Sequence, residues 1–136
     1  MFKNIKTAEQ LAAERFAATY TSRVSTNNSA FEQAMSAMTA DYPASEISSW
    51  ERQRAEALAW EADSTAPTPW IDIASQARGL DRVEYLQRTA AKVHQFAAAS
   101  AFLIGRRQAI DDAIRAAETV EALDAIVIDY SLPVAP

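Results

Sequence analysis

The chain has 136 residues, of which 49% are hydrophobic and 23% charged, values typical of a folded domain rather than of a disordered segment. Its net charge of −5 and the lack of a basic stripe argue against nucleic-acid binding. It contains no cysteine, which excludes disulfides and thiolate chemistry. Glycine occurs only twice, whereas alanine, the best helix former, is abundant, so the composition predicts an all-α fold.

The first predicted helix begins at Thr7, because Thr7 and Gln10 have the spacing of a capping box. The polar run at residues 25–28 predicts the end of this helix, and Ser29 with Glu32 predicts a second capping box and a new helix. Apolar residues at helical spacing predict one buried stripe on the first helix: Ala13, Phe16, Ala17, Tyr20 and Val24.

Proline and glycine set the boundaries in the middle of the chain. A helix is predicted from about Pro43 to Ala62, followed by a linker at residues 63–67. Thr68 is expected to cap the next helix, and Gly79 to end it in a Schellman motif. The residues expected on its inward face are Trp70, Ile73, Ala74 and Ala77.

The dominant predicted element is one helix from Arg82 to about Ala117, which Gly105 interrupts at a cost of only ~1 kcal/mol. Between residues 96 and 104 the helix is apolar or small on every side, so it needs cover from the preceding helices or from a second subunit. The predicted seam, at three- and four-residue spacing, contains Val83, Leu86, Ala90, Val93, Ala97 and Ile104.

The C-terminal part allows two alternatives. A short helix follows Thr119, and then comes the β-branched run at residues 125–128. This run is either a lone strand, which would pair with a partner through Ile126 and Ile128, or an extended tail packed over the helices. The second alternative is favoured because the sequence has no other obvious strand.

Together these elements predict an all-α antiparallel bundle or hairpin with one long C-terminal helix. We divide it into an N-terminal helical region (1–49), a helical hairpin module (50–118), and a short helix with an extended tail (119–136). No uncharged run is long enough to span a membrane, and residues 1–6 lack the apolar core of a signal peptide. We therefore expect a soluble protein.

The sequence contains few candidates for catalytic or metal-binding residues. His94 is the only histidine, and the residues three and four positions away are alanines, so we expect it to bond to water or a carbonyl. Asp111 and Asp112 are expected to pair with Arg106 and Arg107 one turn earlier. No catalytic residue, metal ligand or cofactor site is predicted, and we expect a protein that is not an enzyme.

Large apolar side chains indicate protein binding instead. Trp50, Trp60 and Trp70 flank the predicted linker, and at least two of them are expected in the core. An exposed tryptophan would be a binding anchor, with Trp60 or Trp70 favoured. Self-association remains open. The candidate partner-binding residues are Trp60, Trp70, Phe96, Phe102, Ile126 and Ile128.

The part of the chain from Trp50 to Ala117 resembles a module of bacteriophage tail fibre assembly proteins, also called tail fibre chaperones. The resemblance implies a cofactor-free protein in the cytoplasm of the infected host, which binds a tail fibre subunit and helps it to fold, trimerise or attach. The alternative is a structural component of the tail or baseplate, located in the virion. The matching residues are Trp50, Gln53, Glu56, Ala57, Ala59, Trp60, Thr68 to Asp72, Ala77 to Gly79, Lys92, Val93, Gly105, Arg107 and Gln108.

Overall fold

The computed structural model describes residues 5–134, which form six α-helices and contain no β-strand. The all-α prediction is therefore confirmed for this part of the chain, including the single long helix toward the C-terminus. The helices are α1 (Ala8–Ala37), α2 (Ala44–Ile47), α3 (Trp50–Ala62), α4 (Pro69–Arg78), α5 (Arg82–Ala116) and α6 (Val120–Asp124).

The start of α1 is as predicted, but its end is not. The Thr7 amide donates to Gln10 Oε1 at 2.9 Å, and the Gln10 amide donates to Thr7 Oγ1 at 3.1 Å. The predicted break at residues 25–28 is wrong, since α1 continues to Ala37. Tertiary contacts explain the difference: Asn27 is buried inside the fold, where its side chain has hydrogen-bond partners, so this polar residue supports the helix instead of ending it.

The helix predicted from Pro43 to Ala62 is in fact two helices, α2 and α3, separated at Ser48 and Ser49. The Ser48 hydroxyl donates to the Ser45 carbonyl at 2.7 Å, and the Ser49 hydroxyl donates to the Glu46 carbonyl at 2.6 Å. Serine side chains that bond nearby backbone groups compete with helix continuation, which accounts for the break.

Helix α4 has its predicted ends. Pro69 lies in the first turn, and Gly79 has a φ of 74°, in the left-handed region that favours glycine. The Leu80 amide donates to the Ser75 carbonyl at 3.0 Å, which completes the Schellman motif.

The inward face of α4 differs from the predicted one. Ile71 and Ser75 are buried, whereas Ile73 is 72% exposed and Ala77 is also exposed. The placement of Ile73 and Ala77 toward the core was therefore wrong. Apolar residues occur on both sides of this helix, so their spacing alone does not determine which side is covered.

Helix α5 is continuous, as predicted, and Leu86 and Ala90 are buried on it. The other predicted seam positions are mostly wrong: Val83 is 43% exposed, Ala97 is exposed, and Ile104 is 42% exposed whereas its neighbour Leu103 is 1% exposed. Adjacent residues on a helix point about 100° apart, and both are apolar here. Which of the two is buried depends on the element that packs against the helix. In the C-terminal half of α5, the buried residues are Leu103, Ile110 and Ile114.

The segment after α6 is extended and forms no strand in the described part of the chain, so the favoured alternative, a packed tail, is confirmed. Ile126, Ile128 and Tyr130 pack against a cluster formed by Ile110, Ile114 and Leu123. Val127 lies between them in sequence and is 70% exposed.

The chain divides into two compact units. The terminal unit comprises the residues up to Ala37 and those from Ala101 onward, and the central unit comprises Met38–Ser100. Helix α5 contributes residues to both. The sequence-based segments, which end at residues 49 and 118, differ from this division because α1 packs with parts of the chain that are about a hundred residues away.

Candidate functional site

In the central unit, aromatic rings stack beside the start of α3. The Trp50 ring lies edge-on to Tyr42, with centroids 5.0 Å apart, and edge-on to Phe96, with centroids 6.1 Å apart. Phe96, a predicted partner-binding residue, remains 40% exposed. The Phe96 ring therefore packs against Trp50 within the unit, and part of it is accessible to solvent.

The other two tryptophans, Trp60 and Trp70, are each partly buried. Trp70 stands in the first turn of α4, one turn before the exposed side chain of Ile73, and Ala77 follows after another turn. We call these three residues the α4 surface. Sequence reasoning selected Trp70 as a candidate but missed Ile73, because it assigned Ile73 to the core.

Two polar contacts hold the start of α4 in place. The carboxylate of Glu56, on α3, accepts hydrogen bonds from the backbone amides of Trp70 at 3.1 Å and Ile71 at 3.0 Å. This carboxylate is the capping group, because the side chain of Thr68 makes no such bond at the N-cap. An anionic group at a helix N-terminus is favoured both by the free amides and by the helix dipole.

Thr68 has a different role from the predicted one. Its hydroxyl donates to Asp72 Oδ1 at 2.8 Å and accepts from Arg82 Nη2 at 2.7 Å. Arg82 Nε also lies 2.6 Å from Asp72 Oδ1. The Thr68 hydroxyl, followed by the Arg82 guanidinium, lowers the pKa of Asp72 below its ordinary value. Together with Glu56, this network bonds the first turn of α4 to α3 and to the start of α5.

In the terminal unit, the exposed apolar residues of α5 include Phe102, at 37%, and Ile104, at 42%. Gly105 follows them within the helix, and an added Cβ there would have no atom within 4 Å. Phe102 is thus accessible, as its selection as a partner-binding residue requires. Nothing in the described structure covers it fully.

The other two candidates, Ile126 and Ile128, are partly buried and pack inward on the tail. Their apolar character is therefore explained by packing within the terminal unit. Their selection as partner-binding residues stays a prediction.

The tail is fastened mainly by side chains that bond its backbone. Arg23 Nη2, on α1, donates to the Ile126 carbonyl, and Arg106 Nε, on α5, donates to the Asp129 carbonyl at 3.0 Å. The Tyr130 hydroxyl donates to Asn27 Oδ1, and the Tyr130 ring lies 5.9 Å from that of Phe31. Burial raises the pKa of the Tyr130 hydroxyl above its ordinary value, so it stays protonated as a donor.

The expected pairing along α5 is wrong. Arg106 bonds the tail, and Arg107 lies over the Phe31 ring at 6.0 Å. Asp111 pairs instead with Arg115, at 2.8 Å. Sequence spacing allowed both pairings of Asp111, and in the structure Arg106 bonds the tail instead of Asp111.

His94 also has a partner that was not expected. Its Nε2 lies 2.8 Å from Glu61 Oε1, so a carboxylate takes the place of the predicted water or carbonyl. The His94 side chain is 61% exposed. Among residues 5–134, no group of three or more histidine or acidic side chains is arranged to hold a metal ion.

One open groove, of about 490 Å³, lies in the terminal unit between the start of α1 and the connection from α5 to α6. Phe16, Arg15 and residues 118–121 contribute to its lining. It lacks the enclosed apolar walls that small-molecule sites usually have.

Comparison with known families gives one match: the model described as the HI1402 helical domain matches residues 91–128. This is less than a third of the chain and includes most of α5, all of α6 and the start of the tail. Four of the six predicted partner-binding residues fall within it: Phe96, Phe102, Ile126 and Ile128. The description agrees with the helical fold and says nothing about tail fibre assembly.

No curated protein and no solved structure matches the chain. In the described part of the chain, every helix is too short or too polar to cross a membrane.

Proposed function

We propose that the chain binds another protein through the α4 surface and assists the assembly of a bacteriophage tail fibre. The observation that supports binding is Ile73, which is 72% exposed on a short helix whose start carries Trp70. An aliphatic side chain this exposed contributes nothing to the core of its own unit. Tryptophan beside such a residue is typical of interface hot spots.

The α4 surface suits binding because contacts within the chain already hold the start of α4 in one conformation. Glu56 bonds two amides of the first turn of α4, and Asp72 in the same turn contacts Thr68 and Arg82. A preorganised surface loses less conformational entropy when it binds than a mobile one does.

The nature of the partner is proposed from the resemblance. A tail fibre subunit exposes apolar surfaces before it trimerises, and an apolar helix face on an acidic carrier could cover them while keeping the complex soluble. The net charge of −5 fits this role. The proposed mechanism is binding and release without a cofactor, in the cytoplasm of the infected host.

The alternative is that the chain is a structural piece of the tail or baseplate. The additional exposed residues Phe102 and Ile104 on α5 favour this alternative, since a component built into a particle is covered on more than one side.

Peptide mass spectrometry of purified particles and of the lysate that produced them separates the two functions. A chain abundant in lysate and absent from particles supports an assembly factor. A fixed copy number per particle supports the structural role. Absence from the phage-producing lysate contradicts both.

The α4 surface is tested with Ile73→Glu, which places a charge at the centre of the surface without touching buried residues. We expect binding to the fibre subunit encoded by the same phage to weaken at least about tenfold by titration calorimetry, a loss of ~1.4 kcal/mol. Gln87→Glu adds the same charge at an exposed position of α5 and is the matched control. Equal affinity of the two variants for the fibre subunit would show that the α4 surface is not part of the interface.

A further inference from the structure

We draw no further inference here: the strongest candidate, the exposed apolar face of α5 around Phe102, Ile104 and Gly105 in the terminal unit, carries none, because nothing in the described part of the structure shows what covers it.

Discussion

The terminal and central units each bury apolar residues, but they differ in how many polar side chains they bury. The terminal unit packs a cluster of Ile110, Ile114 and Leu123. The central unit holds three of the four buried polar residues found among residues 5–134: Glu56, Thr68 and Ser75; the fourth, Asn27, is in the terminal unit. Apolar burial is strong but non-directional, whereas hydrogen bonds fix orientation. We therefore expect lost volume to destabilise both units, and lost polar partners to matter more in the central unit.

The largest expected effect concerns the apolar cluster. Ile114→Ala removes a side chain that is fully buried in the terminal unit and should lower the free energy of unfolding by about 2–5 kcal/mol in urea titrations. Ile73→Ala makes the same chemical change at a position that is 72% exposed in the central unit and should change it by less than about 0.5 kcal/mol. Equal losses would mean that the outward face of α4 is covered.

The polar contacts of the central unit are tested at Glu56. Glu56→Ala leaves the amides of Trp70 and Ile71 without their acceptor and should destabilise the protein by about 1–3 kcal/mol in urea titrations monitored by tryptophan fluorescence. Glu56→Gln keeps an acceptor for one of the two amides but loses the charge and the second acceptor oxygen, so its loss should be smaller than that of the Ala variant. A Gln variant as unstable as the Ala variant would mean that a single neutral acceptor does not stabilise the start of α4.

The two glycines, one in each unit, should respond in opposite directions to alanine. Gly79→Ala forces a side chain into a left-handed backbone and should cost about 1–2 kcal/mol. Gly105→Ala adds a methyl group to open space within a helix and should stabilise by about 0.5–1 kcal/mol. Thermal unfolding followed by circular dichroism measures both. A destabilising Gly105→Ala would show that another chain approaches the backbone at this position.

The smallest expected effect is the pH dependence of the network around Asp72. The pKa of Asp72 is lower in the folded state than its ordinary value of 3.8, first because of the Thr68 hydroxyl and then because of Arg82. The unfolded chain therefore binds the proton more readily, and Asp72 contributes stability that is present above its unfolded pKa and is lost as the pH falls through the lower folded pKa. Asp72→Asn should reduce the slope of unfolding free energy against pH in this acidic range. An unchanged slope would mean that the contacts of the exposed Asp72 side chain do not contribute measurably to the free energy of unfolding.

The fold class and several boundaries were predictable because their causes are local. The capping box at Thr7, the proline at the start of α4 and the left-handed glycine at its end depend on residues within one or two turns. The continuity of α5 follows equally from its own composition, since one glycine does not break a long helix. Asn27 is the counterexample, because only its contacts with distant residues explain why α1 continues past it.

The candidate site was predictable only in part. Trp70, Phe96 and Phe102 were selected from residue type, and Phe96 and Phe102 are substantially exposed. Ile73 was missed because its spacing fits a core face as well as a solvent face. The hydrogen bonds to the tail were missed because their donors, Arg23 and Arg106, lie 103 and 23 residues from the carbonyls that they bond.

The sequence by itself thus determined the all-α class, the long helix and the absence of thiol chemistry, since these depend on composition and on neighbours along the chain. Only the tertiary structure decided which side of α4 faces solvent, whether Leu103 or Ile104 is buried, and where the residues of the tail lie. The physical reason is the same in each case. The spacing of apolar residues shows that a helix has an apolar side. When two sides are apolar, the element that packs against the helix determines which side is buried.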